Sequence, residues 1–191
     1  MAFTPNNFNA NQNNGGEKKK TNFRIGKIWG SDAQMDISVW LSDTGVKTTI
    51  SIKQAVGKDP STGANVFEQK QPNELPRFYM NSDYLRALLM DVDRYDDPGN
   101  TKIIIDRGQN GGKFSIIGQG NSIKITIESP KNGSRTITLD SISVGERNVH
   151  ASYVNFIEYL KIALKKSLTQ KLDPEEFGMA LQSSDDSSLP I

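Results

Sequence analysis

The sequence contains no cysteine and only one histidine, His150, among its 191 residues. Without cysteine it cannot form disulfide bonds, thiolate metal sites or a cysteine nucleophile. The lone histidine has no partner at the spacing of a metal site or a catalytic dyad. There is also no basic-then-apolar secretory pattern and no apolar run near the ~20 residues that span a bilayer. These absences predict a cytoplasmic protein, in a cell or in an infected host, with no membrane partner.

Motifs of catalysis and cofactor binding are missing too. The glycine-rich residues 108–113 (GQNGGK) lack the spacing and the following Ser or Thr of a phosphate-binding loop, and instead predict a hairpin turn. The aspartates at residues 91–97 do not fit a calcium loop, and no serine stands in a nucleophile elbow. The sequence therefore predicts a non-enzymatic protein with no cofactor and no metal. An enzyme whose carboxylates meet only on folding is the least favoured alternative.

Charge is divided unevenly along the chain. Residues 1–171 hold 23 Lys and Arg against 17 Asp and Glu, whereas residues 172–191 hold five acids and no base. A basic body attracts polyanions, and an acidic tail can compete with them or recruit a partner protein. A merely solvated tail is the alternative interpretation.

Composition divides the chain into three parts. Residues 1–20 are rich in Asn and end in three lysines, which predicts a disordered arm with a basic end. Residues 21–172 contain most of the apolar side chains and predict a single domain. Residues 173–191 predict a short helix followed by a disordered acidic tail.

Hydrophobic periodicity predicts two rounds of strands followed by a helix. Period-two alternation at residues 35–41 and 46–53 indicates half-buried antiparallel strands, separated by a turn at residues 43–45. Residues 55–77 read as a long connection, and helices are expected near residues 82–95 and 152–171. Further strands are predicted at residues 23–29, 66–70, 78–80, 102–106, 113–117, 122–128 and 135–140. The predicted fold is α+β, with two repeats of a four-stranded antiparallel sheet and a helix, at about residues 21–99 and 100–172.

This order of elements resembles the Whirly family of single-stranded-DNA-binding proteins over about residues 22–171. It is also similar to the Pur-alpha repeat and to the guide-RNA-binding proteins of kinetoplastid mitochondria. The resemblance implies two sheets packed against helices, sheet faces that receive single-stranded nucleic acid, and a homo-oligomer. The favoured interpretation is that this protein is a divergent, phage-type relative of the Whirly family.

The C-terminal residues are similar to the acidic tip of bacterial single-stranded-DNA-binding proteins, which ends in Asp-Asp-Asp-Ile-Pro-Phe. The matching residues here are Asp185, Asp186, Leu189, Pro190 and Ile191. The similarity implies replication or recombination proteins as partners of the tail. Those bacterial proteins have an OB fold, so an OB-fold barrel with added helices is the alternative fold.

Candidate binding residues come from strand parity. Trp40 falls on the polar face of its strand, and Lys47 and Lys53 fall on the same face of the next strand. Single-stranded nucleic acid is held by aromatic faces for its bases and by cations for its phosphates. Trp29 is predicted to lie in the core. The other predicted nucleic-acid ligands are Lys27, Arg107, Lys113, Lys124 and Arg135.

Together these features predict a single-stranded-DNA-binding protein of replication or recombination, with RNA as the less favoured strand. The alternative is a structural or adaptor oligomer whose sheet face is a protein interface, so that Trp40 and the long connection meet protein. For Trp40 alone, the alternative to stacking is that it covers a loop such as residues 55–77 or a subunit interface.

Overall fold

The computed structural model describes residues 22–42 and 45–172. They form an α+β fold of antiparallel sheets and two helices, as predicted. The predicted N-terminal arm, the last short helix and the acidic tail lie outside the described residues.

The N-terminal sheet is antiparallel throughout and has β3 at its centre. One edge of β3 pairs with β2, and its other edge pairs with β5 and β4 in tandem. The strands are β1 (Asn22–Trp29), β2 (Ala33–Ser42), β3 (Gly45–Lys58), β4 (Asn65–Phe67) and β5 (Arg77–Met80). β3 runs five residues past the predicted end at Lys53, because β4 pairs with its residues 55–58.

The C-terminal sheet is a four-stranded antiparallel meander with the order β6-β7-β8-β9. Its strands are β6 (Lys102–Asp106), β7 (Lys113–Gln119), β8 (Ser122–Ser129) and β9 (Gly133–Asp140). A separate hairpin of β10 (Ile142–Val144) and β11 (Arg147–Val149) follows, and the sequence analysis did not predict it. No strand pairing within residues 22–42 and 45–172 closes either sheet into a barrel, so the alternative expectation of a barrel is wrong.

Two helices follow the strands. α1 (Ser82–Val92) begins where predicted, because the Asn81 side chain accepts a hydrogen bond from the Tyr84 N–H at 2.9 Å. α2 (Ala151–Leu172) buries one stripe, with Tyr153, Phe156 and Leu160 facing the core. Neither helix combines the length and the apolar composition that crossing a membrane requires.

A single core joins both sheets to both helices. Phe78 of β5 stacks on Phe114 of β7 with ring centroids 5.4 Å apart, which fastens one sheet to the other. The alternation predicted for β2 and β3 holds, since Met35, Ile37 and Ile50 are fully buried. The core covers one face of each sheet. The opposite faces, here called the outer faces, are therefore the ones available for binding.

Candidate nucleic-acid interface

The outer face of the N-terminal sheet is defined by residues that lie opposite one another across its strands. It combines aromatic, basic and small polar side chains in neighbouring rows. Its members are Arg24, Lys27 and Trp29 of β1, Gln34, Asp36, Ser38 and Trp40 of β2, Lys47, Thr49, Ser51 and Lys53 of β3, Phe67 of β4, and Arg77 and Tyr79 of β5.

A β-bulge in β1 determines which side chains reach this face. The pairing register shifts between Arg24 and Gly26, so one extra residue interrupts the alternation. Phe23, before the bulge, packs against the core, whereas Trp29, after it, lies opposite Gln34 on the outer face. Trp29 is 56% exposed, so the prediction that it belongs to the core is wrong. The bulge reverses the parity that the prediction assumed.

One aromatic pair on the outer face consists of Trp40 and Tyr79. Their ring centroids are 6.1 Å apart at an interplanar angle of 65°, an edge-on contact. Trp40 lies on β2 and Tyr79 on β5, with β3 between them, so the two rings lean towards each other over β3. The ammonium group of Lys47 lies 5.7 Å from the centre of the Trp40 ring. An aromatic surface and a cation are therefore adjacent.

The second aromatic pair, Trp29 and Phe67, repeats this arrangement at the other end of the face. Their ring centroids are 5.3 Å apart and tilted by 58°. Lys27 Nζ lies 5.6 Å from the centre of the Trp29 ring, so this tryptophan also carries a lysine cation. Each end of the face thus has two aromatic rings and one ammonium group.

The space between the two pairs suits an extended chain. Gln34, opposite Trp29, and Trp40 are six residues apart along β2, or about 20 Å at the usual rise of a strand. The row beside Trp29 contains Ser51 with the charged Lys27, Asp36 and Arg77, and the next row contains Ser38 with Arg24. An extended chain that crosses this face therefore meets cations between the two aromatic ends.

The same face is strongly basic. Five of its side chains are cations and one, Asp36, is an anion; the cations are Arg24, Lys27, Lys47, Lys53 and Arg77. Asp36 forms an ion pair with Arg24, whose Nε lies 3.2 Å from Oδ1. The remaining four cations keep the face positive, and positive potential attracts a phosphate backbone.

The outer face of the C-terminal sheet differs in both respects. Its side chains come from alternate positions of β6 to β9, and none of them is aromatic. The predicted ligand Lys113 lies directly opposite Asp106 on one side and Glu128 on the other. Lys124 is exposed and lies opposite Ile117. This face carries three lysines and three acids, so its net charge is zero; they are Lys102, Lys113, Lys124, Asp106, Glu128 and Asp140.

The guanidinium group of Arg107 packs against two aromatic rings. Its guanidinium carbon lies 4.1 Å from the centre of the Tyr84 ring and 4.6 Å from that of Phe78. Arg107 follows β6, and its N–H donates to the carbonyl of Gly112 across the glycine-rich turn. That turn links β6 and β7 as a hairpin, as predicted from residues 108–113.

Arg135 joins the two sheets. Its Nε and Nη2 donate to the Glu68 carboxylate at 3.0 and 3.1 Å, and the Gln54 N–H donates to the same carboxylate at 3.0 Å. The hydrogen bonds from Arg135, with that from Gln54, lower the pKa of Glu68 from 4.5 to about 2. The structure therefore places Arg135 in an ion pair with Glu68, away from the N-terminal sheet's outer face.

Three of the predicted ligands, Trp40, Lys47 and Lys53, lie together on the outer face of the N-terminal sheet, and Lys27 joins them. Sequence reasoning missed five others on that face: Arg24, Trp29, Phe67, Arg77 and Tyr79. The alternation of β5 could have revealed Tyr79, because its neighbours Phe78 and Met80 are apolar. Gly26 in an apolar strand was the signal for the bulge that turns Trp29 outward.

Among the described residues, no three histidine, cysteine, aspartate or glutamate side chains come together as metal ligands. The residues predicted to bind a partner protein, Asp185 to Ile191, lie outside the described residues.

Comparisons with known proteins gave no match: no protein-family model fits the sequence, and no curated protein or solved structure is significantly similar to it.

Proposed function

We propose that this protein binds single-stranded DNA on the outer face of its N-terminal sheet and has no enzymatic activity. The observation that supports the proposal is the coincidence of two aromatic pairs and five cations on one face. A face that docks a neutral protein partner does not need this combination, whereas a face that binds a polyanion with exposed bases does. RNA is the less favoured strand.

The proposed binding mode assigns a role to each group of side chains. Bases stack on Trp40 and Tyr79 at one end and on Trp29 and Phe67 at the other. Lys53, on the row of Trp29, and Arg77, on the next row between the ends, contact the phosphates. Duplex DNA is disfavoured because its bases are already stacked and cannot reach the rings.

The finer architecture belongs to the same proposal. Five strands, a helix, four strands and a hairpin, and a second helix give two rounds of a sheet followed by a helix. This order supports a Whirly-like arrangement in a divergent, phage-type protein of replication or recombination. The acidic residues 185–191 would recruit partner proteins of the same process, as the tail of bacterial single-stranded-DNA-binding proteins does.

Titration of the full-length protein with labelled oligo-dT and with a duplex of matched length tests the proposal. Tryptophan emission should fall as oligo-dT is captured, because bases stack on Trp29 and Trp40. Raising the salt concentration should weaken the binding steeply. The absence of any change in emission or anisotropy at micromolar protein would refute the proposal, and equal affinity for the duplex would refute the stacking mode.

The second candidate is a structural or adaptor oligomer, and the hairpin of β10 and β11 favours self-association. All six of its strand residues are exposed, including the apolar Ile142, Val144 and Val149. A two-stranded ribbon is only marginally stable alone. Antiparallel pairing of β10 with β10 of a second copy, centred on Ser143, would set Ile142 against Val144 and cover both.

Sedimentation of the wild type and of Val144→Asp separates this candidate from the first. If the hairpin carries an oligomer interface, the variant should dissociate while still binding oligo-dT, because the hairpin lies outside the aromatic and basic face. A wild type that sediments as a monomer at micromolar concentration would exclude this candidate.

A further inference from the structure

In the described part of the chain, four buried side-chain atoms on the outer face of the N-terminal sheet have no hydrogen-bond partner; beside Asp36 Oδ1 and Arg77 Nε, two lie at the end where Trp40 meets Tyr79. These two are the indole Nε1 of Trp40 and the hydroxyl oxygen of Thr49, and neither is reached by solvent. Thr49 is 6% exposed and lies opposite Ser38 on β2 and Tyr79 on β5. The Trp40 and Tyr79 rings meet over β3, the strand that carries Thr49.

Such unpaired atoms are unusual in a folded protein. A buried indole N–H or hydroxyl normally finds a partner, because leaving it unpaired sacrifices the hydrogen bonds that water would provide. Trp40 and Thr49 are diagonal neighbours on adjacent strands, since Trp40 lies opposite Lys47 and Thr49 lies opposite Ser38. The closed ring pair therefore leaves the hydrogen-bonding capacity of both groups unused.

We propose that Trp40, Thr49 and Tyr79 form a pocket for one unpaired base, which enters when the ring pair opens. This inference rests on the proposed function of the same face. A base offers the two features that the site lacks: an aromatic face for the rings and polar atoms along its edge for the indole N–H and the hydroxyl. Entry of the base replaces the edge-on ring contact by stacking and gives Trp40 Nε1 and Thr49 Oγ1 their partners.

The donor chemistry further specifies the base. The indole N–H only donates, and the threonine hydroxyl can donate as well. A carbonyl oxygen has two lone pairs and accepts from both groups at one atom, whereas adenine needs two atoms, N1 to accept from the indole and the N6 amino group to donate to the hydroxyl oxygen. If both groups of the pocket donate to one atom, as we infer, the pocket prefers a base with an edge carbonyl, such as thymine, over adenine.

Two substitutions, each of which removes one polar group from the pocket, test this preference. Trp40→Phe keeps an aromatic face and removes the N–H; Thr49→Val keeps the volume and removes the hydroxyl. Affinities of the full-length protein for oligo-dT and oligo-dA of equal length are measured for the wild type and for both variants. Each variant should lower the dT-to-dA affinity ratio by about three- to tenfold, the effect of one lost hydrogen bond, whatever stacking loss both oligonucleotides share.

Matched controls make the result specific. Ser115→Ala removes a hydroxyl from the outer face of the C-terminal sheet and should leave the ratio unchanged. Thr49→Val should also melt at the same temperature as the wild type or higher, because it removes an unpaired buried hydroxyl. A lower melting temperature would mean that the hydroxyl has a structural partner, and would overturn the inference.

The test also separates this inference from the function on which it rests. If the wild type binds neither oligonucleotide, the proposed function fails. If it binds both and neither variant changes the ratio, only the base pocket is overturned, and the face binds by stacking and charge alone.

Discussion

The two sheets bury similar side chains but present different outer faces. The N-terminal sheet buries Met35, Ile37 and Ile50, and the C-terminal sheet buries Ile116 and Ile125, all without exposed surface. On the outside, one sheet carries two aromatic pairs and an excess of cations, while the other has no aromatic ring and balanced charge.

The difference shows which features the fold requires and which it does not. Both inner faces must be apolar, because the common core is what holds the sheets and helices together. Nothing in that requirement places Trp29, which is 56% exposed, or Tyr79, which is 38% exposed, in water. Large apolar surfaces that folding does not need are candidates for binding. Each experiment below either removes the contrast between the sheets or makes it sharper.

The largest effect is expected from removing both tryptophans of the N-terminal sheet. Trp29→Ala with Trp40→Ala should weaken oligo-dT binding by about 2–6 kcal/mol, since each lost stacking contact is worth about 1–3 kcal/mol. Trp29 is exposed and Trp40 half-buried on the outer face, outside the common core, so far-UV circular dichroism should be unchanged. Ile104→Ala, at a 50% exposed position on the outer face of the C-terminal sheet, should bind like the wild type. Similar losses from both changes would mean that the sheets do not differ in function.

Neutralising lysines tests the charge contrast. Lys53→Gln should lower affinity and reduce the slope of log affinity against log salt by about 0.7, the value for one single-strand phosphate contact. Lys113→Gln should leave the slope unchanged, because Lys113 already lies between Asp106 and Glu128. The sequence-based prediction treats Lys53 and Lys113 alike, so equal slopes for the two variants would favour it over the structure-based proposal.

The junction between the sheets is tested by Glu68→Gln. The variant leaves Arg135 without its carboxylate and should lower the free energy of unfolding by about 1–3 kcal/mol in urea titrations. The wild-type pKa of Glu68 is lowered from 4.5 to about 2, so the ion pair contributes fully above pH 4.5. That contribution should disappear as the pH falls towards 2. A variant with the same pH dependence as the wild type would show that the ion pair does not couple the sheets.

The smallest effect on DNA binding is expected from deleting residues 185–191. Two acids are lost with the deletion, so affinity for oligo-dT should stay equal or rise, because less negative charge competes for the basic face. Co-precipitation of replication or recombination proteins should be lost. Clearly weaker DNA binding after the deletion would contradict the proposed role of the tail.

Local sequence patterns predicted most of the fold. Strict alternation in β2 and β3, and Asn81 ahead of the apolar stripe of α1, located these elements to within a few residues. The hairpin of β10 and β11 escaped prediction because its strands are three residues long and bury nothing. Pattern analysis detects elements through their buried face, and this hairpin has none.

The candidate site was predicted only in part. Trp40, Lys47 and Lys53 were found because their strands alternate without interruption. Trp29 was misplaced because a bulge cannot be seen in periodicity alone. Arg135 was predicted as a ligand because its partner Glu68 is 67 residues away in the sequence.

The sequence by itself determined which side chains each regular strand and helix buries, since local periodicity and the hydrophobic effect act on neighbouring residues. The tertiary structure alone decided which rings share an outer face and which cations are already paired. Those outcomes depend on strand register, on one bulge and on contacts between residues far apart in the chain. Such contacts leave no periodic pattern in the sequence, because the positions that make them are set by the packing of the two sheets.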